Sequence, residues 1–139
     1  MRRLLLFAVP LVLALLIPAS AMATVVTATE SRYGKVLFDG DGRVLYLFTK
    51  EKTDKPRCYG PCAKAWPPFV VGGTPDAEGA TKQKLFGTTK RRNGNIQGTY
   101  NGHPLYYYVH DDPGEILCHD VFEYGGDWFV VTPKGKAAD

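Results

Sequence analysis

Apolar positions fall in two regimes along this chain. From Leu4 to Ile17 the residues are apolar without a break, a fourteen-residue run behind Arg2 and Arg3. Beyond Ala23 the apolar stretches are short, and clusters of Gly, Pro, Asn and Asp separate them. Short strands ended by turn residues give that second pattern. Lys35–Phe38 and Arg43–Phe48 flank Asp39-Gly40-Asp41-Gly42, and Thr88–Arg91 and Ile96–Tyr100 flank Asn93-Gly94. Asn101-Gly102 then reverses the chain into Leu105–Val109, an Asn-Gly pair that suits a type I′ turn. A last pair turns at Gly125-Gly126 into Trp128–Val131. Helix is confined to one turn over Pro61–Trp66, because Pro67-Pro68 stops it. The polar, Gly-containing segment 72–84 reads as a connector and as a mobile loop.

The chain repeats itself at an offset of 60. Gly42-Arg43-Val44-Leu45-Tyr46-Leu47-Phe48 aligns with Gly102-His103-Pro104-Leu105-Tyr106-Tyr107-Tyr108, Cys58 aligns with Cys118, and the Trp66–Val71 segment resembles Asp127–Val131 two residues out of register. The expected fold class is therefore mainly β: a small antiparallel β domain made of two hairpin-based repeats, with little helix. Repeat one covers about 34–71 and repeat two about 85–135, joined by the connector and packed as one domain over 24–139.

Within each repeat Tyr46 and Phe48, or Tyr106 and Tyr108, face one side of a strand, while Leu45 and Leu47, or Leu105 and Tyr107, face the other. Strands apolar on both faces are buried between layers. The competing reading is an aromatic groove for a glycan, peptide or small ligand, with Tyr107 and Tyr59 as the surface contacts.

The first regime reads as a signal peptide over residues 1–23: a basic start, an apolar run, then Pro18 and the small residues Ala19 to Ala23, with cleavage after Ala23. Fourteen apolar residues fall short of the ~20 that a spanning helix needs, so the mature chain has no transmembrane span. The first cysteine is Cys58, far from the cleavage site, so a lipid anchor is not expected. The formal charge of +3 shrinks to about neutral once Arg2 and Arg3 are removed, which leaves no case for nucleic acid. Lys90-Arg91-Arg92, the only basic run in the mature chain, reads as a solvated hairpin tip.

The pattern Tyr, any residue, an aromatic, two residues, then Asp is complete in Tyr106-Tyr107-Tyr108-Val109-His110-Asp111. It recurs as Tyr46-Leu47-Phe48-Thr49-Lys50-Glu51, with Glu in place of Asp. With Cys58-Tyr59-Gly60-Pro61-Cys62, Trp66-Pro67-Pro68 and Gly125-Gly126-Asp127-Trp128, the sequence resembles the bacterial secreted-repeat family with a Y-x4-D motif, often described as predicted lipoproteins. The resemblance runs from about Gly34 to Gly135. It implies export to the cell envelope and a small β-rich repeat, with no established activity. The motif residues are Tyr46, Phe48, Glu51, Trp66, Tyr106, Tyr108, Asp111 and Trp128.

Candidate chemistry is sparse. Three cysteines in an exported protein allow one internal disulfide, and Cys58–Cys62 across the Gly60-Pro61 turn is the favoured pairing over a bridge to Cys118. That spacing is neither a redox C-x-x-C nor a haem-attachment motif. His103, His110, Cys118 and His119 are candidate ligands for zinc or copper, although their spacing matches no specific metal motif; each also suits a structural place, His103 in a tight turn, His110 at a strand end and His119 exposed. Cys118-His119-Asp120 would form no triad as successive strand residues, which point to opposite faces. Glu51 and Asp111 could meet as an acid–base pair, but capping the turn that follows each strand accounts for both. The sequence thus reads as an exported periplasmic, cell-envelope or extracellular protein with a structural or ligand-binding role. It reads as non-enzymatic and free of cofactor, its partner is an unknown envelope ligand or protein, and a metal-binding module is the alternative.

Overall fold

Strands that are apolar on both faces need two cores, and the computed structural model, which describes residues 23–139, contains two. Along β3 (Tyr46–Phe48) and the residues entering it, Val44, Tyr46 and Phe48 join one hydrophobic cluster while Leu45 and Leu47 join the other. The second repeat divides the same way, with Tyr106 in the first cluster and Leu105 in the second. Strand alternation, read twice, therefore partitions the interior. Each fully buried aromatic or aliphatic side chain adds roughly 1.5–3 kcal/mol of transfer free energy.

The elements are β1 (Val25–Ser31), β2 (Gly34–Asp39), β3, α1 (Pro61–Ala65), β4 (Asp76–Glu78), β5 (Phe86–Lys90), β6 (Ile96–Tyr100), β7 (His103–Pro104), β8 (Val121–Glu123) and β9 (Gly126–Val130). They form three small sheets ordered β2-β1-β4, β3-β9-β8 and β5-β6-β7. All strand pairs are antiparallel except β1 with β4, which run parallel. The fold is mainly β, and the one α-helix among the described residues is a single short turn, Pro61–Ala65, with Trp66 as its C-cap.

The two repeats are interlaced. The motif strand of repeat one pairs with the last strand of repeat two, Tyr46 opposite Val130. Reciprocally, Tyr106 of repeat two bridges Pro68 of repeat one. The exchange continues outward, since Leu37 N–H donates to the Val131 carbonyl and Gly98 N–H to the Phe69 carbonyl, both across repeats. At the centre Tyr46 and Tyr106 donate N–H to each other's carbonyl, at 2.8 and 3.0 Å, on a local two-fold relation. The terminal segment of each repeat thus fills a place in the other.

Several expectations need correction. A strand absent from the sequence reading, β1, supplies the main partner of β2 in full register from Val26↔Asp39 to Ser31↔Gly34. Part of the 72–84 connector is strand, because β4 lies against β1. The last hairpin turns at Tyr124-Gly125, both at positive φ, rather than at Gly125-Gly126. Gly126 instead sits in β9, where a Cβ would stand 2.6 Å from the Phe48 ring. Positive φ at both residues suits a type I′ turn at Asn101-Gly102, whereas at Asn93-Gly94 only the glycine has it. Apart from Ala23, the expected signal peptide lies outside the described residues. No helix among those described is long and apolar enough to cross a membrane.

Candidate functional site

The motif tyrosines and acids are paired crosswise. Tyr46 Oη donates to Asp111 Oδ2 at 2.5 Å, and Tyr106 Oη donates to Glu51 Oε2 at 2.5 Å. Each repeat therefore contributes its tyrosine to the acid of the other, and the interlaced strands are what bring them together. Each acid also accepts a backbone N–H six residues further on: Leu117 to Asp111 Oδ1 at 2.9 Å, and Arg57 to Glu51 Oε2 at 2.7 Å. One carboxylate thus fixes a tyrosine of the other repeat and closes the loop after its own strand.

The two clasps differ in one atom. In Asp111 the donors take one oxygen each, whereas in Glu51 both take Oε2 and leave Oε1 buried without a partner. Glu51 is only 4% exposed, and burial raises its pKa to about 7 against the opposing hydrogen bonds from Tyr106 and Arg57. Burial also raises Asp111, and it lifts both clasp tyrosines far above the ordinary phenol value, with the neighbouring carboxylate adding to the effect. Such phenols stay protonated and act as hydrogen-bond donors.

Between the clasps lies an aromatic stack. Trp128 stands between Phe48, at 4.0 Å between centroids, and Trp66, at 4.1 Å, all nearly parallel. Tyr46 meets Trp66 edge-on, and Tyr106 meets Trp128 in the same manner. Both indole N–H groups end on one residue: Trp66 donates to Glu123 Oε2 at 2.8 Å and Trp128 to the Glu123 carbonyl at 3.1 Å. Tyr108 is half-buried and packs on Trp66.

Cys58 and Cys62 form a disulfide with Cα atoms 5.3 Å apart, flanking the start of α1. Cys118 is free and half-buried, and burial raises its thiol pKa, which keeps it in the weakly nucleophilic thiol form. The four residues considered as metal ligands are used separately. His103 is half-buried in β7 opposite Tyr100, and His110 is exposed beside Tyr108. His119 is not exposed as expected: its Nδ1 accepts Val130 N–H at 3.2 Å and its ring packs between Tyr33 and Phe129. No group of three or more His, Cys, Asp or Glu side chains among the described residues is placed to hold a metal ion.

Three further residues belong here that no spacing signalled. Asp39 accepts Tyr107 Oη at 2.6 Å as well as the N–H groups of Asp41 and Arg43, so Tyr107 is tied down and not a free surface contact. Arg91 is 5% exposed, which corrects the solvated-tip reading. Its guanidinium donates to Gln97 Oε1 and to the Cys58 carbonyl, binding the hairpin tip to the disulfide loop. Glu123 is the third. The Asp-Gly-Asp-Gly string pointed to a turn at Asp39, but local spacing encodes no tie to Tyr107, and nothing local marks Arg91 or Glu123.

The crosswise clasp can be measured. Tyr46→Phe is expected to cost about 1–3 kcal/mol, since it leaves a buried carboxylate oxygen without its donor. A double-mutant cycle with Asp111→Asn should show coupling above about 0.5 kcal/mol in urea unfolding. Simple additivity would mean that the pair contributes nothing to stability.

Comparison with family models matches residues 27–70 and 87–132, more than half of the chain, to a family described as a secreted repeat of unknown function. No curated protein and no solved structure matches. Both matched segments contain a motif tyrosine, its acid and one strand of the exchanged pairing. The chain accordingly belongs to this family of secreted repeats and carries two copies of the repeat.

Proposed function

We propose that the protein is an exported module of the cell envelope or extracellular space, non-enzymatic and not lipid-anchored, whose role is structural or ligand-binding. The observation that carries this reading is the crosswise pairing of Tyr46 with Asp111 and of Tyr106 with Glu51. The groups in the repeat best suited to proton transfer are spent on each other inside the fold, so the repeated motif serves as a clasp. A small, internally braced β fold presents its loops on a rigid frame, which suits a binding or scaffolding part outside the cell. The apolar run behind Arg2 and Arg3 supports export, as does the description of the family as secreted.

Expression of the full chain in a bacterial host tests the reading. The exported fraction is expected to begin at Thr24 on N-terminal sequencing. In that fraction iodoacetamide should alkylate Cys118 alone before reduction and all three cysteines afterwards. Retention of the whole chain in the cytoplasm with Met1 intact, or alkylation of Cys58 and Cys62 without reduction, would overturn it.

A further inference from the structure

Charge in this protein is sorted by place. The loop after β3 is closed by the Arg57-to-Glu51 hydrogen bond and the next loop by the disulfide, so Lys52, Lys55, Arg57 and Lys64 sit on two adjoining closed loops, all exposed. The β5–β6 hairpin docks its tip onto these loops: the guanidinia of Arg91 and Arg92 lie on the Tyr59 ring at 4.3 and 4.1 Å, and Arg91 donates to the Cys58 carbonyl. This brings exposed Lys90 and Arg92 to the same pole. Seven of the 17 Lys and Arg residues stand on these segments, whereas of the 14 Asp and Glu only Asp54 and the buried Glu51 do. With Arg2 and Arg3 in the leader, the remainder of the chain is net acidic.

None of the six exposed cations is neutralised by an ion pair, for the one ion pair among the described residues is Lys35–Glu30, elsewhere. Arg92 is held on an aromatic ring with its fork of N–H donors otherwise uncommitted, a geometry that suits a phosphate oxygen pair. An anionic bilayer is the competing partner. The residues that form the pole include none of the exposed large apolar side chains, and its own aromatic ring, Tyr59, is covered by two guanidinia, a composition that favours a soluble anion over insertion among acyl chains.

We propose that this pole, formed by the 52–64 loops and the 90–92 end of the β5–β6 hairpin, is a binding site for an extended phosphate-bearing polyanion encountered outside the cytoplasm. The proposal rests on the reading of the chain as an exported binding module. Six exposed cations carried on loops closed by a disulfide and a hydrogen bond bind a flexible polyanion by releasing its counterions, so affinity falls steeply with salt.

The test is calorimetric titration of the exported, processed protein with long-chain inorganic polyphosphate. Binding is expected at about 50 mM salt, with a log–log salt slope of about −3 to −5. Arg92→Gln combined with Lys64→Gln is expected to lower affinity about 25-fold, at about fivefold per charge. Lys82→Gln combined with Lys84→Gln, exposed and beyond the end of β5 opposite to Lys90, should leave it unchanged. Thermal melts verify that both double variants fold. Three results overturn the proposal: no binding by folded protein at low salt, equal loss in both double variants, or binding to phosphatidylglycerol vesicles without binding to polyphosphate. Folded, exported protein that ignores polyphosphate defeats this inference alone, whereas a chain that is not exported defeats the reading beneath it.

Discussion

Trp128→Ala is expected to lower the free energy of unfolding by about 4 kcal/mol, within the range seen for deletion of large buried aromatics. Trp128 has no exposed surface and lies at the middle of the Phe48–Trp128–Trp66 stack, with Tyr106 against its edge. Removing the indole opens a cavity bordered by residues of both repeats. It also withdraws one of the two indole donors that fix Glu123. Because β9 inserts between β3 and β8, the loss falls on the seam between the repeats and not on one hairpin. For a chain of this size the midpoint of thermal unfolding should fall by more than about 10 °C. Trp128→Phe keeps a ring in the stack and should recover roughly half of the loss. A fall of less than about 1 kcal/mol for the alanine variant would show that the seam is not where stability resides.

The second large effect is a pH dependence that belongs to Glu51. In the unfolded chain its carboxyl ionises at the ordinary value of 4.5, and in the folded protein burial raises this to about 7. Between those values the folded state holds a proton that the unfolded state has released. The stabilisation is therefore complete below about pH 4.5 and is lost as pH rises through 7, by up to about 3 kcal/mol at 1.36 kcal/mol per pKa unit. Asp111, raised by burial, acts in the same sense. His103 and His119, whose pKa values burial lowers, act in the opposite sense, because the unfolded state takes up their protons first as pH falls. The quantity to measure is thus the difference between wild type and Glu51→Gln in urea unfolding from pH 4.5 to pH 8. Gln cannot titrate, so the variant should gain on the wild type by up to about 3 kcal/mol across that range, whatever its absolute stability. A flat difference would show that Glu51 ionises as an ordinary carboxylate, with its orphaned Oε1 satisfied by solvent.

Both effects concern residues that the sequence marked, and yet the sequence did not show what those residues meet. Self-similarity at an offset of 60 and the spacing of Tyr46 with Glu51 and of Tyr106 with Asp111 were legible because they are local patterns. The two-sided burial of the motif strand was legible for the same reason, since alternation along a strand fixes which side chains share a face. β1 was missed because Val25-Val26-Thr27-Ala28-Thr29-Glu30-Ser31 mixes apolar and polar residues without a strong period. Its strand character comes from pairing on both edges, with β2 and β4. His119 and Tyr107 were misplaced because a polar ring or hydroxyl on an amphipathic side chain carries no local sign of the partner that will bury it.

The amino-acid order alone determined that this is a mainly β protein written as two related units behind an apolar N-terminal run, since periodicity and turn chemistry act over a few residues. Tertiary structure decided that the units exchange their terminal strands, that each motif tyrosine finds the acid of the other repeat, and that Glu51 keeps one carboxylate oxygen without a partner. It also decided that cations scattered between Lys52 and Arg92 gather at one pole. These outcomes depend on contacts between residues some 30 to 85 positions apart. Burial and pairing across such separations are set by how whole strands pack, which no short window of sequence encodes.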